Sequence, residues 1–199
     1  MPKQKKLSDY SARRNSKNSG EPAAKRAKTK TYRGPKFVIQ KHAASHLHYD
    51  FRIEHDGVLK SWAVPKGPSM NPSDKRLAIV TDDHPMAYAT FEGVIPEGNY
   101  GAGTVMVWDR GTYKNIKKKD GKRIDMDDCF DHGTIEIFLY GAKLQGAFAL
   151  IRTQKDNQWL LIKMNDEHAD RRRNPVKTEN KSALTGRTMV QIKKDARNE

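Results

Sequence analysis

The chain of 199 residues has a single cysteine, Cys129, which excludes an internal disulfide and any zinc site built on thiolates. It has no apolar run of membrane-spanning length, and its opening "MPKQKKLSDYSARRN" has no apolar segment of the kind that directs secretion. A cytoplasmic chain, nucleoid-associated if its partner is DNA, is the expectation. Hydrophobic residues make up only 36%, and the mean hydropathy of -0.89 means that a good part of the chain is solvated. Acids are scarce at the start: Asp9 and Glu21 are the only two in residues 1–34, among many Lys and Arg. Composition therefore makes 1–34 a basic, mostly disordered tail and leaves 35–195 as one folded domain. Helical patterns are few, with candidates at 166–170 ("DEHAD") and 186–195 ("GRTMVQIKKD"). There is no internal repeat.

The net charge of +14 and pI near 9.8 point to a polyanionic partner, nucleic acid first, because each neutralised phosphate releases condensed counterions. From Pro35 onward the chain reads as strands. "KFVIQ", "HYDFRIEH", "VLKSWAVP", "RLAIVTD", "GTVMVWDRGTYKNI", "GTIEIFLYG", "GAFALIRT" and "QWLLIKM" are short, rich in β-branched and aromatic residues, and separated by Gly, Pro, Asn and Asp. Asp56-Gly57 between two alternating runs is a hairpin signal, and "WDRGTY" and "LYGAKLQGAF" read as two more. Many short strands with tight turns indicate a mainly β fold, a barrel or a sandwich. A small antiparallel barrel is the expected form, with polar side chains converging at its concave mouth.

The stretch "HAASHLHYDFR", residues 42–52, holds three of the seven histidines. With period two, His46, His48, Asp50 and Arg52 fall on one face of a strand and Leu47, Tyr49, Phe51 and Ile53 on the other. His42, His48 and Asp50 are two imidazoles and a carboxylate close together, a mixed set that leaves coordination positions open and suits Mn²⁺, Fe²⁺, Co²⁺ or Zn²⁺. Spacing alone leaves two readings, a metal site or surface histidines on a polar sheet face. Arg52 on the same face favours the first, since a guanidinium beside a cation is a site for phosphate or carboxylate. Polar-face ligands contribute little to a core, so His42→Ala or Asp50→Ala is expected to give a folded, inactive protein.

"DDHPMAY" contributes His84 at a strand end and Tyr88 beyond it, where the alternative is an exposed turn histidine. A histidine so placed could donate to a phosphoryl oxygen or act as a general acid. Lys66 in a loop bracketed by prolines and Arg76 at a strand start are either phosphate contacts or ordinary exposed cations. "KKDG", Lys118 to Gly121, matches the K-x-D-G of nucleotidyl-transferring ligases but lies in a lysine-rich turn. "GNYGAG", Gly98 to Gly103, has phosphate-loop composition with its glycines in the wrong order and a strand following, and reads as a tight turn.

Taken together, "FVIQKHAASHLHYDFRIEHDGVLKSWAVPKGPS", "DKRLAIVTDDHPMAYATFEGVIPEGNYGAGTV" and "WLLIKMNDEHAD" closely resemble the 3′-phosphoesterase domain of bacterial DNA ligase D and its free-standing relatives. The similarity runs from Lys36 to "LTGRTMVQI". It implies a small β-barrel with a divalent metal, usually Mn²⁺, that removes a 3′-terminal phosphate from DNA, and in many members a 3′-ribonucleoside, to leave a 3′-OH. By resemblance His42, His48 and Asp50 are the metal ligands, Arg52 and His84 contact the scissile phosphate, and Tyr88 is an essential neighbour. Gln40, Lys66 and Arg76 are supporting groups. In the upstream segment Arg14 and Glu21 match the family, whereas Asn15 stands at its aspartate position and Ser16 at its aromatic one. That segment assists ribonucleoside removal. The implied partners are DNA 3′ ends on a primer-template, with a separate ligase and an end-binding protein, and the protein is expected to be a monomer. The rival readings are a broader metal-dependent nuclease and a non-catalytic DNA-end-binding module of the same fold.

Overall fold

A computed structural model describes residues 7–14, 19–25, 34–155 and 157–196. The alternating segments form twelve strands: β1 (Lys36–Ala43), β2 (Leu47–His55), β3 (Val58–Val64), β4 (Lys75–Val80), β5 (His84–Pro85), β6 (Gly93–Ile95), β7 (Gly103–Asn115), β8 (Lys118–Lys119), β9 (Lys122–Arg123), β10 (Thr134–Gly141), β11 (Gln145–Arg152) and β12 (Gln158–Lys163). Eight of them close an antiparallel barrel in the order β1-β2-β3-β4-β12-β11-β10-β7, with β7 returning to pair β1. These eight coincide with the eight strand-like segments of the sequence. Closure leaves no free barrel edge.

The barrel interior follows from the period-two pattern. Phe37, Ile39, Tyr49, Phe51, Ile53, Trp62, Met106, Trp108, Ile135, Ile137, Phe148, Leu150, Trp159 and Leu161 belong to one buried cluster, each 4% exposed or less. Burial of aromatic and branched side chains on this scale is the main stabilising term. The β2–β3 hairpin turns at Asp56 (φ 49) and Gly57 (φ 73), the two positive φ angles that a type I′ turn needs.

Among the described residues, the strands are accompanied by short α-helices, α1 (Leu7–Arg13), α2 (Met126–His132), α3 (Pro175–Thr178) and α4 (Met189–Asp195), and by a 3-10 turn at Met86–Thr90. The expected C-terminal helix is α4, opened by a capping box between Thr188 and Gln191. "DEHAD" is not helical. The Asp166 carboxylate there is taken by Lys163 Nζ and by the backbone N–H groups of Ala147 and His168, which holds the segment in a turn.

"WDRGTY" is not a hairpin either. It lies inside the continuous 13-residue strand β7, where Gly111 pairs with both Phe37 and Gly141. A Cβ at Gly111 would stand 2.0 Å from the Tyr140 carbonyl oxygen, so the glycine serves a close backbone approach rather than a turn. Within the stretch that composition assigns to a tail, residues 7–14 and 19–25 pack against the outside of the barrel. Tyr10 is 1% exposed and joins Val38, Leu59, Tyr88 and Val107 in a second buried cluster. Asn15, Ser16 and residues 26–33 lie outside the described residues.

Candidate metal and phosphate site

The polar face of "HAASHLHYDFR" is the outer face of the barrel wall. Phe37, Ile39, Tyr49 and Phe51 point into the interior, so their alternating neighbours Gln40, His42, His48, Asp50 and Arg52 point out. The expected convergence at a barrel mouth is therefore replaced by a cavity of about 230 Å³ on the outside of β1, β2 and β3. It is walled by the loops before and after β5 and β6 and by the N-terminal segment, through Arg14, Glu21, Thr81, Asp82, His84, Tyr88, Tyr100 and Gly101. Period-two alternation fixes which residues share a face but not which face is covered.

His42 and His48 are directly opposite each other across the β1–β2 ladder, and Asp50 is two residues further along β2. His42 Nδ1 is 3.5 Å from Asp50 Oδ2, and His48 Nε2 is 3.7 Å from Asp50 Oδ1. One donor atom from each of the three falls within 4.8 Å of the others. The remaining ring nitrogens are engaged by backbone carbonyls: His42 Nε2–H donates to Gly101 (2.9 Å) and His48 Nδ1–H to His46 (2.9 Å). Each imidazole is thereby fixed through its far nitrogen with the near nitrogen facing Asp50, the outer-sphere arrangement that orients histidine ligands. His46 itself is exposed and contributes its carbonyl, not its ring. Burial works to raise the Asp50 pKa, but Arg52, His42 and His48 outweigh it and hold the carboxyl well below the usual range. Two imidazoles and a carboxylate at these separations fit a divalent cation with open positions.

Arg52 is 3% exposed and fixed on every side. Its Nε donates to Gln40 Oε1 (2.8 Å), Nη1 donates to Ser61 Oγ (2.8 Å), and Nη2 lies 3.1 Å from Asp50 Oδ2. Its Cζ stands 5.0 Å from the centre of the Tyr88 ring. Gln40, fully buried, donates from Nε2 to the carbonyls of Tyr88 and Phe91. It sits behind Arg52 rather than in the cavity lining. Ser61 is the partner that sequence reading missed. The two-residue hairpin at Asp56-Gly57 places Ser61 opposite Arg52 by register, so the signal was present.

His84 is 2% exposed, not a turn histidine in solvent. Its Nδ1 is 2.7 Å from the Asp82 carbonyl, and its Nε2 accepts from Arg14 Nη2 at 3.3 Å. Desolvation, with the positive charges of Arg52 and Arg14, pushes its pKa well below the ordinary value, so the imidazole is neutral. Arg14 also donates to Glu21 Oε1 (3.2 Å), which accepts the Tyr88 hydroxyl hydrogen at 3.0 Å. Arg14 Nη1 and Glu21 Oε2 are buried without a hydrogen-bond partner. Of the residues singled out in the sequence, Lys66 and Arg76 lie outside the cavity. Lys66 is exposed on the loop after β3, and Arg76 Nη2 donates to Asp74 at 2.8 Å.

A barrel wall with a two-histidine, one-carboxylate cluster beside a fixed guanidinium defines a class of site, one for a divalent cation adjoining an anion. Residues 40–152, which carry that cluster, match the family model of the DNA ligase D 3′-phosphoesterase domain, and the chain belongs to this family. It is 42% identical over 195 residues to the multifunctional non-homologous end joining protein LigD of Pseudomonas aeruginosa, an overlap that covers 96% of this chain and 22% of the relative. Identity is 44% over 162 residues to the LigD of Mycolicibacterium smegmatis, covering 81% of this chain and 21% of the relative. It is 45% over 162 residues to the multifunctional non-homologous end joining DNA repair protein LigD of Mycobacterium tuberculosis, covering 81% and 20%. The chain thus spans about a fifth of the length of these curated relatives. Among the described residues no helix is long and apolar enough to cross a membrane.

Proposed function

We propose that this domain hydrolyses the terminal phosphomonoester at DNA 3′ ends, leaving a 3′-OH for repair by end joining. The observation that carries the reading is the convergence of His42, His48 and Asp50 within 4.8 Å, with the Arg52 guanidinium 3.1 Å from Asp50. His42, His48 and Asp50 would hold the cation, with Mn²⁺ favoured by the family resemblance and Zn²⁺ or Co²⁺, which suit the same mixed N/O set, as alternatives. Bound there, a divalent cation supplies Lewis-acid polarisation of a phosphoryl oxygen, worth several kcal/mol of a barrier reduction on the order of 20 kcal/mol.

The chain's own groups supply the rest. Arg52 presents its fixed charge to the equatorial oxygens without reorganisation, which is where preorganised electrostatics contribute most. Gln40 and Tyr88 are positioning residues, since they hold Arg52 rather than reach the cavity through free polar groups. His84 enters the cycle neutral and is too weak a base to take a proton readily, so its role is to orient the phosphate or the attacking water beside Arg52 and Arg14. A 3′-ribonucleoside is proposed as a second substrate, for which Arg14 Nη1, 3.5 Å from Asp82 Oδ2 but without a hydrogen bond, and Glu21 Oε2, also without one, are the available groups. The product end would pass to a ligase and an end-binding protein, with the domain acting as a monomer in the cytoplasm.

The test is phosphate release from a primer-template bearing a 3′-phosphate, in chelator and after addition of Mn²⁺, Zn²⁺ or Mg²⁺. A 3′-ribonucleotide primer and an uninterrupted duplex serve as comparison substrates. Metal-dependent release from the 3′-phosphate end, with the duplex intact, is the expected result. Cleavage at internal positions without 3′-phosphate release would make the domain a general nuclease. Tight DNA binding without turnover at any metal concentration would make it a binding module.

A further inference from the structure

The loop between β6 and β7, "GNYGAG" in the sequence, has a role beyond turning the chain. Tyr100, at its tip, is 51% exposed yet lines the rim of the cavity that holds the cation cluster. The neighbouring residue, Gly101, gives the carbonyl that fixes His42, so the ring and a metal ligand are tied to adjacent positions of one loop. The loop is stiff at its base, where Asn99 N–H and Asn99 Nδ2 both donate to the Pro96 carbonyl and Ala102 N–H donates to the Asn99 carbonyl. Two guanidinium groups lie over the ring, Arg14 with Cζ 4.9 Å and Arg13 with Cζ 5.7 Å from its centre, and the half of the ring that they leave uncovered is open to solvent. Both arginines are anchored in turn on Asp82. A half-exposed aromatic ring with guanidinium groups over part of it, on a hydrogen-bonded turn, combines the stacking and cation–π elements that single-stranded nucleic-acid sites use to hold a base while tracking its phosphates.

We infer that Tyr100 is a nucleobase platform: the base of the 3′-terminal nucleotide stacks on its ring while the attached phosphate reaches His42, Asp50 and Arg52. This rests on the DNA-end reading above. Every base has a π face, so such a platform recognises a nucleotide as such without reading its identity. It would distinguish a phosphorylated DNA end from free phosphate or a phosphorylated protein side chain, neither of which brings a base. Arg13, whose side chain is 44% exposed, is placed to meet a backbone phosphate of the same strand.

Two measurements test the inference on the full chain. The first compares the KM for a 3′-phosphate oligonucleotide that ends in a purine with that for one ending in an abasic deoxyribose 3′-phosphate. Wild-type protein should prefer the base-bearing end by about tenfold or more, Tyr100→Phe should keep that preference, and Tyr100→Leu should reduce it to near unity. The second places 2-aminopurine at the 3′-terminal position and follows its fluorescence during binding in chelator, where no turnover is needed. Quenching by wild-type and Tyr100→Phe but not by Tyr100→Leu is expected. The inference is overturned if wild-type shows neither preference nor quenching, or if Tyr100→Leu retains both. Absence of 3′-phosphate release with Tyr100-dependent quenching would sink the catalytic reading alone. Release without Tyr100-dependent quenching would sink the platform alone.

Discussion

Replacing Asp50 by alanine should unfold much of what it was expected to leave intact. The sequence places Asp50 on a polar strand face, where a metal ligand adds little to the core. In the structure its carboxylate is 5% exposed and lies 3.1 Å from Arg52, itself 3% exposed. Asp50→Ala therefore strands a buried guanidinium, and breaking a buried pair from one side costs about 3–5 kcal/mol. Against a total stability of about 5–15 kcal/mol, this is about a fifth or more of what holds a domain of this size together. Asp50→Asn keeps an oxygen for Arg52 while removing the charge, and should cost about 1–2 kcal/mol. Removing both partners in Asp50→Ala/Arg52→Met should recover most of the loss, because an apolar pair of similar volume needs no compensation.

Urea unfolding in chelator, followed by tryptophan fluorescence, reads these differences, since Trp62, Trp108 and Trp159 all lie in the barrel interior. With a denaturant slope of about 2 kcal/mol/M, Asp50→Ala should lower the midpoint by about 1.5–2.5 M. A midpoint within about 0.3 M of wild-type, well below the shift expected from that slope, would refute the argument. So would a double variant less stable than Asp50→Ala.

Three further outcomes follow from the same geometry. His84 has its pKa pushed down in the folded state, so the unfolded chain binds the extra proton. Stability from this group is present above the ordinary histidine pKa of about 6.5 and is lost as pH falls below it, and His84→Gln should flatten the slope of unfolding free energy between pH 7 and 5. Gly111→Ala should lower the melting temperature by about 5 °C or more, since its Cβ would meet the Tyr140 carbonyl oxygen at 2.0 Å, and an unchanged melting curve would contradict the β7–β10 pairing. Tyr10→Ala should release the N-terminal segment, seen as faster proteolysis before residue 34 with the barrel unaffected; equal cleavage rates in wild-type and variant would count against the docking.

The eight barrel strands were legible because each alternates around a buried apolar face and each ends at a turn residue. Closure was not, since nothing local in "RLAIVTD" or "QWLLIKM" says that β4 pairs β12 across a separation of eighty residues. "WDRGTY" misled because Gly after a charged pair is a turn signal, and only the tertiary approach of Tyr140 explains it. The cation cluster was legible from parity within β2 and from His42 just before it. The burial of His84 was not, because it depends on Arg14 and Tyr10 arriving from a segment whose composition reads as solvated. Tyr10 docks that segment together with the Arg13 and Arg14 ion pairs to Asp82 and the Tyr88–Glu21 hydrogen bond. Helix α2 was missed for a similar reason: "MDDCFDH" buries only Cys129 and Phe130, too few apolar positions to show a helical period.

The position of the cavity on the outer wall bears on how a long polymer would be handled. The mouth of a closed barrel is a dead end, and a strand entering it must do so tip first. An outer wall has no such stop, and a duplex could lie across β1 and β2 and continue past them in both directions. On the DNA-end reading proposed above, restriction to termini would reside in the irregular segments that rim the cavity, the N-terminal stretch around Arg14 and the loops that carry His84 and Tyr100. On that reading, ligand geometry and end selectivity would fall to different parts of the chain, one to a β-ladder and the other to its cover. Changes in the cover can redirect the site from ends to interior positions, or the reverse, with the cation cluster untouched.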